Sequence, residues 1–287
     1  MGKFRDRMLE DLQIRGLSPC TQKAYLSCTR RFVEHFMLPP DQLTPEHVRQ
    51  YQLHLTRDRQ VASGTFNQNV AAIKFFLRVT LRKDWAIDRI PYRKRPRTLP
   101  RVLSRENVAA LLSCVQNLKH RTLLMVCYSG GLRATEAVRL QVRDIDSQRM
   151  TIRVDQGKGR KDRYVMLSPR LLETLREYWK TVRPTTWLFP GRAPDRPLSR
   201  FTLNRLTEKA RKAAGLPDHL HPHLLLHTLA THFLEDGVNL CVIQRLLGHR
   251  SLRSTEIYTH VASDFLQRTA SPLDRLPAPP QAPTPAV

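Results

Sequence analysis

Long apolar runs are missing from this chain. No stretch approaches the ~20 consecutive apolar residues that a helix needs to cross a bilayer, and the opening residues, MGKFRDRMLED, are charged rather than shaped like a secretory leader. Cysteine pairing is missing as well. The five cysteines, Cys20, Cys28, Cys114, Cys127 and Cys241, are odd in number and nowhere spaced C-x-x-C. That pattern argues against a disulfide frame and for buried thiols in a reducing compartment, so a cytoplasmic protein with no membrane partner is expected. Acidic residues are the third shortage: 25 Asp and Glu face 48 Lys and Arg, a formal charge of +23 with a pI near 10.7. The first hundred residues hold 19 basic and 9 acidic side chains, net +10, which leaves +13 for the remainder. A field of that sign over both halves implies a polyanionic partner, of which nucleic acid is the commonest; the bland alternative is a basic surface that only keeps the protein soluble.

With 287 residues, 41% of them hydrophobic, the chain suffices for two modest domains that each bury a core. Four helical patterns precede residue 90. The first runs from about Phe4 to Arg15 and ends at Gly16. Ser18 caps a second, with Pro19 in its first turn and Tyr25, Phe32, Val33 and Phe36 as its apolar stripe. Thr44-Pro45-Glu46 starts a third, and a fourth begins near Ser63 with Val70, Ile73, Phe76, Leu77 and Leu81 facing inward. Lys23, Arg30, Arg31, Asn67 and Lys74 lie on the polar faces, where such side chains contact phosphates or base edges, or simply meet water.

Asp88 to Arg101, DRIPYRKRPRTLPR, has three prolines and six basic residues, Arg93, Lys94 and Arg95 among them. Proline keeps such a stretch extended and its charge makes it follow phosphate, so it reads as a linker. The boundaries expected are a helical domain over 1–87, the linker over 88–103, a second domain over 104–270 and a proline-rich, disordered tail over 271–287.

In the second domain Ser104 caps a short helix, and an apolar helix from His120 ends at Gly130 and Gly131. Leu132-Arg133-Ala134-Thr135-Glu136 follows, with Glu136 three positions after Arg133, within reach of that turn. Thr151–Val154 and Tyr164–Leu167 alternate as strands around GKGRKDR, a basic hairpin turn holding Lys158 and Lys161. Ser168-Pro169 opens another helix, and a basic one, 199–214, carries Arg200 and Arg205 and suits a nucleic-acid groove.

The stretch His223 to His260 gathers the remaining chemistry. His223 and His227 stand four apart on one helix face with His219, His221 and His232 nearby, so a metal site is conceivable, but no carboxylate or cysteine ligand pattern accompanies them. Leu247-Gly248-His249 follows, and Tyr258 comes nine positions after His249.

Together the Gly-Leu-Arg turn, the His223 helix, the Leu-Gly-His turn and the late tyrosine resemble the phage-integrase family, the tyrosine recombinases. The resemblance is strong over 130–261 and rests on pattern over the first hundred residues. One element departs from it: where the family's His-x-x-Arg requires arginine, this chain has Leu226. The resemblance implies a mainly α fold with a small antiparallel sheet (α+β), namely a helical, SAM-like core-binding domain followed by a tyrosine-recombinase catalytic domain. It implies double-stranded DNA as partner, a homo-oligomer, usually a tetramer, on that DNA, and no cofactor or metal. Arg133, Lys158, His223, His249 and Tyr258 would be catalytic, Glu136 supporting and Leu226 a degenerate catalytic position. Lys158 would be the general acid, with Lys161 the alternative. DNA contacts would come from Lys23, Arg30, Arg31, Asn67, Lys74, Arg93, Lys94, Arg95, Lys161, Arg200 and Arg205. The reaction implied is strand cleavage and rejoining through a 3′-phosphotyrosyl link, impaired by Leu226. A DNA-binding relic without catalysis is the second reading, and a type IB topoisomerase the third.

Overall fold

Polar caps and apolar stripes lay down eleven α-helices among the described residues, and the chain divides into two units, Met1–Arg97 and Thr98–Val287. The structure is a computed structural model that describes residues 2–83, 90–94, 101–155, 162–216, 220–248, 251 and 255–259.

The first unit is all helical. It comprises α1 (Gly2–Ile14), α2 (Pro19–Phe36), α3 (Pro45–Arg57) and α4 (Ser63–Phe75), the last prolonged by a π turn, Phe76–Thr80. The Ser18 hydroxyl accepts from the Thr21 amide at the start of α2, and the Thr44 side chain and His47 imidazole cap the start of α3 reciprocally. Met8, Leu12, Phe32, Tyr51, Val70, Ile73, Phe76 and Leu77 form its core. Ile90 joins that core, so the described part of the linker, residues 90–94, packs on this unit. Arg93 is the pin. Its guanidinium donates to the Val61 carbonyl (2.8 Å) and Thr56 Oγ1 (2.6 Å) and lies 4.4 Å from the Phe66 ring centre, while its backbone exchanges hydrogen bonds with the Asn67 amide.

The second unit carries α5 (Arg105–Ser113), α6 (Leu118–Ser129), α7 (Ala134–Val138), β1 (Ile145–Asp146), β2 (Thr151–Val154), β3 (Arg163–Met166), α8 (Pro169–Val182), α9 (Arg200–Ala213), α10 (Pro222–Glu235) and α11 (Leu240–Leu247). The Asn117 side chain caps α6 two residues earlier than the apolar pattern suggests. The strands pair antiparallel in the order β1-β2-β3, with Ile145 opposite Ile152 and Ile152 opposite Val165; β1, two residues long, is an addition to the expected hairpin. Ile152, Val154 and Val165 turn inward from the sheet. Helix α10 is apolar nearly all round, the mark of a helix at the centre of a unit. Its His232 is a satisfied core residue, with Nε2 bonded to the Leu103 carbonyl (3.0 Å) and Nδ1 to the Tyr128 hydroxyl (2.8 Å).

None of the five cysteines is paired. Cys28 and Cys127 are buried as expected, but Cys20 and Cys241 are exposed because each sits in the first turn of its helix, away from the apolar stripe. The end of the expected second domain, beyond residue 259, and the proline-rich tail lie outside the described residues.

Candidate functional site

One carboxylate brings together segments remote in sequence. Arg133 occupies the N-cap position of α7, and its backbone amide donates to Glu136 Oε2 (2.9 Å) while its guanidinium donates to Oε1 (3.0 Å). The same carboxylate receives both terminal nitrogens of Arg163, at 2.9 and 2.8 Å. Burial alone would raise the Glu136 pKa, but the Arg163 hydrogen bond and charge, aided by Arg133, hold it below the ordinary carboxylate value. The Glu136 side chain is only 8% exposed and that of Arg163 10%, so the pairing is of the strong, charge-assisted kind.

Both arginines also reach the end of α11. Arg133 donates to the Leu247 carbonyl (3.0 Å) and Arg163 Nε to the Leu246 carbonyl (2.9 Å). Cations at a helix C-terminus satisfy carbonyls that have no partner within the helix. Gly248 then closes α11 in the left-handed region (φ +62°), where a Cβ would lie 3.1 Å from Arg163 Cδ. Only glycine meets both demands. Gly131 (φ +58°) is equally constrained ahead of α7: a Cβ there would lie 3.0 Å from Leu229 and 3.3 Å from Leu247.

Tyr258 ends a 3-10 turn, Glu256–Tyr258, and has no solvent exposure. Its ring packs in a cluster with Leu226, Ala230, Leu234, Ile243 and Leu247. Its hydroxyl lies 2.8 Å from His227 Nδ1. Burial pushes the phenol up to about 12, although the nearby Arg133 charge pulls it down. Leu226 is fully buried in the same cluster, so the position that would bear a guanidinium in the family pattern instead supplies hydrocarbon to that cluster.

The other expected residues are distributed as follows. His223 is exposed on α10, its ring centre 4.5 Å from that of His227. Lys158, Lys161, His249 and Arg95 lie outside the described residues. In the first unit Lys23, Arg30 and Arg31 project from α2, with Arg30 paired to Glu34 (2.7 Å), and Lys74 of α4 stands over the Tyr92 ring at 4.8 Å. Asn67 and Arg93 spend hydrogen bonds on one another, and Lys94 is exposed. Arg200 and Arg205 are exposed on α9. Arg245 is exposed on α11 and is no part of the Glu136 network.

Two members of the site escape sequence reasoning. Arg163 closes the basic hairpin turn and looks like its neighbours, since its partner Glu136 stands 27 residues away. His227 has a fainter signal, the i, i+4 spacing from His223. Among the described residues no group of His, Cys, Asp or Glu is arranged to hold a metal ion, and no helix is long and apolar enough to cross a membrane.

Residues 101–264 match the phage integrase family, and residues 4–87 match the N-terminal SAM-like domain of phage integrases. The chain belongs to the phage integrase family. It is 45% identical over 287 residues to the protein y4qK of Sinorhizobium fredii, covering 100% of this chain and 93% of that protein. It is also 32% identical over 268 residues to tyrosine recombinase XerC of Chlamydia caviae, covering 88% and 84%. Among solved structures it resembles the XerH site-specific recombinase bound to difH substrate in a pre-cleavage complex, at TM-score 0.70 and 21% identity over 90% of this chain and 83% of that one. It also resembles a lambda integrase tetramer bound to a Holliday junction, at TM-score 0.70 and 19% identity over 87% and 77%. The mainly α fold with a small antiparallel sheet is therefore that of the tyrosine recombinases, a family of site-specific DNA recombinases.

Proposed function

We propose that this chain binds double-stranded DNA as an oligomer and cleaves and rejoins one strand at a time through Tyr258, at a rate held far below that of a complete site by Leu226. The binding half of the reading is supported by the charge of +23 and by solved relatives in the family, which include a recombinase on its substrate and a tetramer on a junction. The chemical half is carried by one observation: the Tyr258 hydroxyl is hydrogen-bonded to an imidazole beside the Arg133 charge, while fully buried Leu226 packs in the same cluster.

Phosphoryl transfer needs an in-line nucleophile and positive charge on the non-bridging oxygens. Arg133 is one arm of that clamp, and His223 and His249 donate to the same phosphate. Lys158 protonates the departing 5′ oxygen as the Tyr258 oxygen bonds to phosphorus. The 3′-phosphotyrosyl link keeps the energy of the ester, so a 5′ hydroxyl reverses the step without ATP. Removing one preorganised donor from such a site costs about 10² to 10³ in rate, and Leu226 removes a charged one.

The test begins with footprinting to find a protected DNA site, followed by a nicked suicide substrate that traps the covalent adduct. The native chain is expected to protect DNA but to trap slowly, and Leu226→Arg to trap at least about 10²-fold faster while melting at a lower temperature, because a guanidinium then occupies an apolar cluster. Rapid trapping by the native chain would refute the impairment. A protected site with no adduct from either protein would favour the DNA-binding relic, and relaxation of supercoils at no particular site would favour a topoisomerase.

A further inference from the structure

Helix α10 shows two imidazoles on its one open face, and only the second meets the nucleophile. His223 is exposed and His227 half-buried, four positions on. Their rings meet edge to face at 4.5 Å. It is His227 whose Nδ1 lies 2.8 Å from the Tyr258 hydroxyl. The phenol ring is buried in the cluster that also holds Leu226, Ala230 and Leu247, and its oxygen meets that nitrogen.

A buried phenol resists ionisation, and this one is pushed up to about 12 when attack requires the opposite. Arg133 pulls the right way, but with leucine at 226 the second guanidinium that would share this work is missing. Stabilising the phenolate by charge alone is thus weakened, and a positioned proton acceptor gains importance.

We propose that His227 is a catalytic residue, the base that orients Tyr258 and takes its proton during attack. The proposal rests on the reading of Tyr258 as nucleophile given above. The phenol O–H bond breaks and its proton passes to the Nδ1 lone pair of neutral His227. The phenolic oxygen forms a bond to phosphorus, and the phosphorus–O5′ bond breaks with its electron pair on O5′, which is protonated by the general acid. On rejoining, the imidazolium returns its proton to the phenol oxygen as the 5′ hydroxyl attacks. Nδ1 accepts only in the tautomer with hydrogen on Nε2. The titratable and charged groups around the pair, among the described residues, are His223 on the same helix and Arg133, whose own charge is shared with Glu136 and Arg163.

The decisive variant is His227→Asn, whose side-chain oxygen accepts a hydrogen bond near the Nδ1 position but takes no proton. Adduct formation on the suicide substrate is followed from pH 5.5 to 9, in both the native chain and Leu226→Arg. In the parents the rate is expected to fall on the acid side, as a base becomes protonated. His227→Asn should lower the plateau by about 10²-fold or more, abolish that acid-side fall and leave the DNA footprint unchanged. Nitrogen NMR of the full chain, with and without Tyr258→Phe, reads the contact apart from turnover, and the His227 Nδ1 resonance should shift. Equal rates and an unchanged pH profile in His227→Asn would overturn the proposal alone, as would an unmoved Nδ1 resonance. Faster trapping in the variant would also overturn it, since His227 would then be restraining the nucleophile. An absence of adduct in both parents would overturn the nucleophile reading, and this proposal with it.

Discussion

Glu136 is the residue on which the site's electrostatics balance. With it present, two guanidinium groups share one carboxylate in a region where side chains are at most 19% exposed. Without it, two cations face each other with little water. Breaking one side of a buried pair typically costs 3–5 kcal/mol, so Glu136→Ala should lower the unfolding free energy by about 3 kcal/mol in a urea titration. A loss under about 1 kcal/mol would mean that water screens the arginines in solution. The same residues mark what is legible in the sequence. Arg133 and Glu136 are three apart and announce each other. Arg163 completes their network from 27 residues away, and His227 meets Tyr258 across 31. Neither pairing is a local pattern, so neither can be read along the chain. Leu226 is legible as a departure, but its burial in the cluster that holds Tyr258 requires the fold.

At the scale of elements, the caps are the most legible features. Serines 18, 104, 168 and 199 each accept the amide three residues on, and the helices begin where these residues, aided by Pro19 and Pro169 after the first and third, place them. The two-residue β1 carries too few side chains for a period-2 pattern, and α7, five residues long, rests on the Arg133–Glu136 contact more than on an apolar stripe. The end of α11 offers a test with an internal control. Gly237 and Gly248 both adopt positive φ, +79° and +62°, but a Cβ at 237 meets open space, whereas at 248 it meets Arg163 Cδ at 3.1 Å. Gly237→Ala should cost about 1–2 kcal/mol from backbone strain alone. Gly248→Ala should cost more and displace Arg163 as well, seen as a larger drop in melting temperature. Equal drops would mean that Arg163 moves aside freely.

For the whole molecule, buried protons set an alkaline limit. Burial pushes the Cys127 thiol and the Tyr178 and Tyr258 phenols to about 12, against ordinary values of 9.0 and 10.0. Groups whose pKa is raised by folding bind protons more tightly in the folded state, so their contribution is complete below the unfolded pKa and lost as pH rises through the folded one. Stability of the second unit should therefore decline between pH 9 and 12 in denaturant titrations at stepped pH, and Tyr258→Phe should flatten part of that decline. A flat profile up to pH 12 would contradict the burial of these groups. Charge works at the same scale, since an excess of positive side chains in each half of the sequence suits a polyanionic partner.

The bond from Arg133 to the Leu247 carbonyl spans 114 positions of sequence. Closing so large a loop is entropically costly and slow, and until it happens the guanidinium lacks its anchor on α11. A polypeptide still emerging from the ribosome, or truncated ahead of α11, therefore holds the arginine turn without the helix end or the tyrosine that complete it. The Arg133–Glu136 turn and the Tyr258 cluster are thereby joined only in a chain that has been made through α11 and the turn after it, an ordering that arises from topology.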